Sequence, residues 1–143
     1  MAEAERCIEV AAAPEALFAV ITDYEAYSEF LPEIESATLL SRRDGHARVR
    51  FVLNIVKRIT YTLDLEETAP TSVRWTMKDG DLRKNSGSWA VEEAPRGSRA
   101  TYKVEVEVGM FVPGAIVSRL VGETLPATLE AFAQRALTRG EST

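Results

Sequence analysis

Chemistry on a substrate needs a titratable or metal-binding side chain placed where burial or a neighbour can tune it. Few residues of this sequence qualify. Its single histidine, His46, follows Asp44-Gly45, a pair that reads as a hairpin turn, and a solvated turn histidine is the plainer reading. Its single cysteine, Cys7, cannot form an internal disulfide, and one Cys with one His in unlike elements makes no zinc set. Gly87 and Gly97 stand in different turns with no strand, loop and helix around them, so no phosphate-cradling loop is expected. Neither a metal nor a nucleotide cofactor is expected.

What remains emerges from alternation. From Ile34 onward the pattern has period two for more than seventy residues, the signature of an antiparallel meander with a greasy and a wet side to each strand. Ala47, Val49, Phe51, Leu53 and Ile55 point one way; so do Ile59, Tyr61, Leu63 and Leu65, then Val73, Trp75 and Met77, then Trp89 and Val91, then Tyr102, Val104, Val106 and Val108. These inward sets hold no Asp, Glu, His or Lys. They do hold Tyr61, Tyr102, Trp75 and Trp89, and Thr124 and Thr128 join them from the C-terminal stretch. Rings supply apolar area of fixed shape, and hydroxyls orient a polar head by hydrogen bonds. Such a set suits holding a molecule more than transforming it. The plainer alternatives are that both tryptophans are core and that both threonines bond back to helix carbonyls.

The elements that position these residues follow from the same patterns. Cys7 to Val10 reads as a short strand, Pro14 opens a helix carrying Leu17, Phe18 and Ile21, and a second short helix carries Tyr24, Tyr27, Phe30 and Leu31 before Pro32. About six strands follow, with turns at Asp44-Gly45, Ala69-Pro70, Asp79-Gly80 and Arg96-Gly97. The last element, from Pro113 to Leu137, is expected to be one long helix. Wound at about 100° per residue, it puts Val117, Leu120, Val121, Leu125, Leu129, Phe132 and Ala136 on one stripe. Gly140 is expected to stop it, and Pro126 to kink it opposite Gly122. A sheet with one greasy face needs a cover, and only this helix is long enough. The expected class is α+β in one domain over residues 1–143, with frayed ends at Ala2 to Glu5 and Glu141 to Thr143.

Composition narrows the partners. With 17 basic and 22 acidic residues the net charge is −5, which disfavours general attraction to nucleic acid. No apolar run approaches a membrane span and the start is too polar for a signal peptide, so the expected address is the cytoplasm. Two apolar loops qualify that expectation. Ile55-Val56-Lys57-Arg58-Ile59 makes a tip both greasy and basic, and Gly109-Met110-Phe111-Val112-Pro113-Gly114 leads greasily into the last helix. Lys57 and Arg58 can meet anionic headgroups while Met110 and Phe111 enter the interface, a peripheral contact with the inner face of a membrane. Packing beneath a neighbouring loop, or a dimer contact, is the equal alternative; the oligomeric state stays open.

The element order, with Asp23-Tyr24-Glu25-Ala26-Tyr27-Ser28-Glu29-Phe30-Leu31-Pro32 and Gly87-Ser88-Trp89, resembles the START-like helix-grip superfamily, in particular its polyketide cyclase/dehydrase and coenzyme-Q-binding branches. The likeness spans Cys7 to Leu137. It departs from the coenzyme-Q-binding pattern, Tyr-Pro-x-Phe-x-Pro followed by a cysteine, at Ser28 and at Glu33-Ile34. The resemblance implies a curved antiparallel sheet of six to seven strands gripping the last helix around a cavity for an apolar small molecule: a lipid, an isoprenoid quinone or a polyketide. Its body is expected against Phe51, Leu53, Trp75, Val104, Val117 and Val121, with its polar end near Tyr61, Tyr102, Thr124 or Thr128. Two rival expectations follow from the same family. One is a polyketide cyclase or dehydratase in which cavity shape folds the substrate and Tyr61 or Tyr102 is a weak acid. The other is a ribosome- or protein-associating regulator using Arg42, Arg43, Arg48 and Arg50.

Overall fold

The computed structural model describes residues 2–54, 58–108 and 125–141. In chain order they form β1 (Ala2–Val10), α1 (Pro14–Ile21), a 3₁₀ helix (Tyr24–Glu29), β2 (Ile34–Arg43), β3 (His46–Asn54), β4 (Arg58–Thr68), β5 (Ser72–Gly80), β6 (Leu82–Ala94), β7 (Gly97–Val108) and α2 (Leu125–Glu141). The strands make one curved antiparallel sheet of seven in the order β1-β7-β6-β5-β4-β3-β2. Alternation sets its register: Val49, Phe51 and Leu53 of β3 stand opposite Leu63, Tyr61 and Ile59 of β4. A one-residue slip would expose that whole set. The β2–β3 hairpin turns on Asp44 and Gly45, with φ 51° and 79°, the pair of positive values that a two-residue hairpin needs and that Asp-Gly adopts readily.

α2 brings Leu129, Phe132, Ala133 and Ala136 to the core at helical spacing. Phe132 packs edge-to-face with three rings, Tyr27 at 5.1 Å, Phe30 at 5.3 Å and Trp89 at 5.2 Å between centroids. Such pairs add about 0.5–1.5 kcal/mol each beyond the area they bury. The short helices are tied down by polar bonds. The Tyr27 hydroxyl donates to the Ile21 carbonyl. The Tyr24 hydroxyl donates to Glu67 Oε2 at 2.6 Å, which also takes Arg42 Nη2 at 3.0 Å. Arg42 Nη2 in turn reaches the Thr22 carbonyl at 2.7 Å.

Four expectations are corrected. Ala2 to Glu5 is not frayed: β1 starts at Ala2, which pairs with Val106, and Glu5 Oε1 lies 3.5 Å from Lys103 Nζ. Alternating Ala and Glu are too weakly apolar to announce a strand, yet Ala4 is buried. The second short helix is 3₁₀, with Phe30 and Leu31 beyond its end, because three-residue spacing from Tyr24 to Tyr27 to Phe30 suits three residues per turn. Helix α2 passes through Gly140 to Glu141; glycine costs helix propensity but forces no stop. Thr62, which by alternation with Tyr61 and Leu63 belongs to the wet side of its strand, is buried at the bulge between Thr62 and Leu63. The stretch from Pro113 to Thr124 lies outside the described residues, as do Ile55, Gly122 and the kink expected there.

Leu129, 2% exposed, is packed and does not border the hollow described below. Leu129→Ala should therefore cost about 2–5 kcal/mol by chemical denaturation. Phe132→Asp should abolish cooperative unfolding, because it buries an unpaired charge among three rings. An unchanged thermal midpoint in either variant would contradict this packing.

Candidate ligand cavity

Between the sheet and the helices lies a cavity of about 220 Å³. Its wall begins with the inward sets of β3 and β4, Phe51, Leu53, Ile59, Tyr61, Leu63 and Leu65, and continues through Val73, Trp75, Tyr102, Val104 and Val106. Tyr24 and Tyr27 close it from the 3₁₀ helix, Leu31 from just beyond that helix, and Thr128 and Phe132 from α2. Rings run around it in contact: Tyr61 to Phe51 at 5.7 Å, Phe51 to Tyr27 at 6.0 Å, Tyr27 to Phe132, Phe132 to Trp89, Trp89 to Tyr102 at 4.9 Å and Tyr102 to Trp75 at 5.6 Å. Asn85 Oδ1 accepts from Trp75 Nε1 at 3.1 Å.

The sheet makes room for this arrangement at one place. Among the described residues the β5–β6 ladder runs only from Ser72 opposite Ala90 to Trp75 opposite Gly87. Beyond it the two strands part, and Asn85 stands where they part. At Gly87 an added Cβ would come within 2.5 Å of the Trp75 ring and 2.2 Å of the Lys103 carbonyl. Only glycine lets the indole lie across β6.

Of the residues expected at a site, Phe51, Leu53, Tyr61, Trp75, Tyr102, Val104 and Thr128 all come to this one cavity. Val117, Val121 and Thr124 lie outside the described residues. Lys57, Met110 and Phe111 do so too, and the remaining loop cation, Arg58, pairs with Glu35 at 2.8 Å. Asn85, buried at 7% exposure, was missed. It has the parity of Gly87, Trp89 and Val91, so extending that alternation backwards past Gly87 would have found it. Two carboxylates correct the expectation of a charge-free interior. Glu33 lines the cavity beside Ile34 and Leu53, and Glu67 continues the inward parity of β4 with its side chain 12% exposed.

Electrostatics keeps the polar wall neutral. Burial raises the Tyr61 hydroxyl well above its ordinary pKa, opposed in part by the Asn85 amide. Tyr102 is raised by burial and by proximity to Tyr61. Tyr27 is raised mainly by burial, and Tyr24 by burial and then by Glu67. Tyr61 and Tyr102 are half-buried and line the hollow. A phenol so shifted donates a hydrogen bond without giving up its proton near neutral pH. Elsewhere, His46 and Cys7 are exposed, and among the described residues no group of His, Cys, Asp and Glu could hold a metal ion. The arginines of the expected protein-binding patch are largely engaged: Arg42 with Glu67, Arg43 near Asp44 and Arg48 with Asp64. No helix among the described residues is long and apolar enough to cross a membrane.

A curved antiparallel sheet folded over a C-terminal helix, with a partly hollow core, is the helix-grip architecture of START-like proteins. The chain belongs to the polyketide cyclase / dehydrase and lipid transport family, whose model matches residues 10–133. No curated protein matches it significantly. Among solved structures it is similar to TTHA0849 from Thermus thermophilus, at 23% identity and a TM-score of 0.83 over 96% of this chain and 97% of that one. A START superfamily protein from Mycobacterium smegmatis shares 25% identity at a TM-score of 0.75, covering 98% and 97%. The ZhuI aromatase/cyclase from Streptomyces sp. R1128 shares 14% identity at a TM-score of 0.74, covering 98% and 93%.

All four tyrosines titrate above the ordinary value of 10.0. Raised phenol pKa values leave stability intact below that value and remove it as pH climbs towards the folded values, because the unfolded chain releases these protons first. Alkaline titration should show no phenolate absorbance near pH 10 while the chain is folded, then a cooperative rise coincident with loss of circular dichroism. Gradual ionisation of the folded protein near pH 10 would contradict the burial of these rings.

Proposed function

We propose that this protein binds or carries one neutral, mostly apolar molecule in the cavity, its body against Phe51, Leu53, Trp75 and Val104 and its polar end towards Tyr61, Tyr102 and Thr128. Val117, Val121 and Thr124 complete the same site in this reading. One observation carries it: the wall is built of rings and aliphatic groups, and its deep polar members are phenols, an amide and a hydroxyl. An anion set among them would lie in low dielectric without a cation. The described walls enclose about 220 Å³, below the range of about 300–1,000 Å³ common for ligand pockets. One ring system or a short chain fits there. The family's description joins lipid transport to polyketide cyclisation, and both chemistries present such a guest.

Cyclisation is the second reading, favoured by the presence of both Tyr61 and Tyr102 in the cavity wall, which offers two donors to the carbonyls of a bent polyketide chain. In that role the wall acts by shape and orientation, because both phenols hold their protons too tightly for efficient transfer at neutral pH.

Loading from a membrane accompanies the first reading, with Lys57, Arg58, Met110 and Phe111 as the docking edge. Its support is topological: β3 and β7 run in the same direction in the sheet, so their ends at Asn54 and Val108 open towards one edge. Leu53, Ile59, Leu82 and Val106, which line the cavity, stand beside that edge.

Native mass spectrometry of the purified chain should show a co-purified apolar mass, and Thr128→Phe should remove it with little loss of stability. A bare mass after incubation with a lipid extract would overturn the binding reading. Replacing Met110 and Phe111 by Ser should weaken binding to anionic vesicles, and salt should weaken it further. No wild-type affinity for such vesicles at low salt would remove the docking edge.

A further inference from the structure

The cavity has a closed end, and the register of the strands locates it. Along β7 the wall runs from Val106 through Val104 to Tyr102, a rise of about 13 Å at about 3.3 Å per residue. Tyr102 stands opposite Trp89, and Trp89 opposite Val73; all three belong to the wall. The next inward pair, Val91 opposite Ala100, is packed at 4% and 0% exposure and has no part in the wall. Helix α2 repeats the pattern: Thr128 and Phe132 line the hollow, while Ala136, one turn further on, is fully buried away from it. Rings join the two surfaces at this level. The Trp89 ring lies 4.9 Å from Tyr102 and 5.2 Å from Phe132, and Phe132 lies 5.1 Å from Tyr27. The other end of the wall, at Leu53, Ile59 and Leu82, stands at the edge where β3 and β7 finish.

We infer that Trp89 is a specificity-determining residue: its indole is the floor of the cavity and sets the length of guest that the hollow takes in. An indole held between two rings cannot turn aside without losing both contacts, and the core beneath it is packed, with no hole for a longer guest to enter. A guest that already reaches the floor gains nothing from another CH₂, because the extra group must stand outside the hollow or force the core apart. Length is limited in this way whichever end of the guest leads. This inference rests on the binding reading above and adds the residue that bounds the guest's size.

Straight-chain primary alcohols from butanol to decanol, each titrated by calorimetry, measure the depth. In the wild type each added CH₂ should tighten binding about fourfold until the chain spans the hollow, and beyond that length affinity should stop rising. Trp89→Phe should move this break to a longer alcohol, so that the first member past the wild-type break binds the variant about fourfold more tightly than the wild type. Leu53→Ala, at the open edge, should leave the break where it is. Circular dichroism verifies the fold of each variant; should Trp89→Phe fail to fold, Val73→Ala, directly opposite Trp89, should move the break in the same direction. An unmoved break in the floor variant, a break moved equally by Leu53→Ala, or a wild-type series that tightens without a break would overturn the inference and leave the binding reading standing. Failure of every alcohol to bind would overturn both.

Discussion

The edge-on contact of Phe132 with Tyr27, Phe30 and Trp89 is the junction on which the rest depends. It joins three elements that the chain order keeps apart: the 3₁₀ segment near the start, the middle of the sheet and the last helix. Ring edges carry the positive end of the aromatic quadrupole and meet ring faces favourably, so the junction has direction as well as area. Arg135 strengthens it from outside, bonding Glu29 and lying 5.3 Å above Phe30. With the helix held there, the concave face of the sheet is covered at one end, and its remaining apolar side chains surround space.

That space persists because its walls are rigid and its polar groups are neutral. Rings in mutual contact cannot collapse inward without leaving their rotamers. Phenols, an amide and a hydroxyl are far cheaper to face a dry hollow than ionised groups, which would draw in water or shift their protonation. The carboxylates near the cavity obey the same constraint. Glu67 receives Tyr24 and Arg42 together, and Glu33 sits where β2 begins. Asn85 is the member that gives the wall a direction, since its bond to Trp75 decides which way its amide points.

How much of this was legible in the sequence follows from how apolar each segment is. Phe51, Leu53, Tyr61, Trp75, Tyr102 and Val104 could be assigned to one side because β3, β4, β5 and β7 alternate strongly and their turns are marked by Gly, Pro and Asp. Phe132 and Leu129 were legible from helical spacing. Ala2–Val10 was read short because alanine alternating with glutamate carries little hydrophobic contrast. Asn85 escaped because β6 announces itself only at Trp89, and nothing local says that β5 and β6 part beyond Trp75. The contribution of Tyr24, Tyr27 and Leu31 to the wall depends on where the short helices dock, which is a matter of tertiary packing and not of period.

Both tryptophans of the chain, Trp75 and Trp89, line the cavity, so the protein's own fluorescence reports directly on occupancy. Titration with bromobenzene, a neutral apolar ring whose heavy atom quenches an indole on contact, tests the central claim that this core holds a guest. The account predicts saturable quenching near one equivalent, abolished in Thr128→Phe. Quenching that rises linearly without saturation, equal in wild type and variant, would mean collisions from solvent and a core with no room inside.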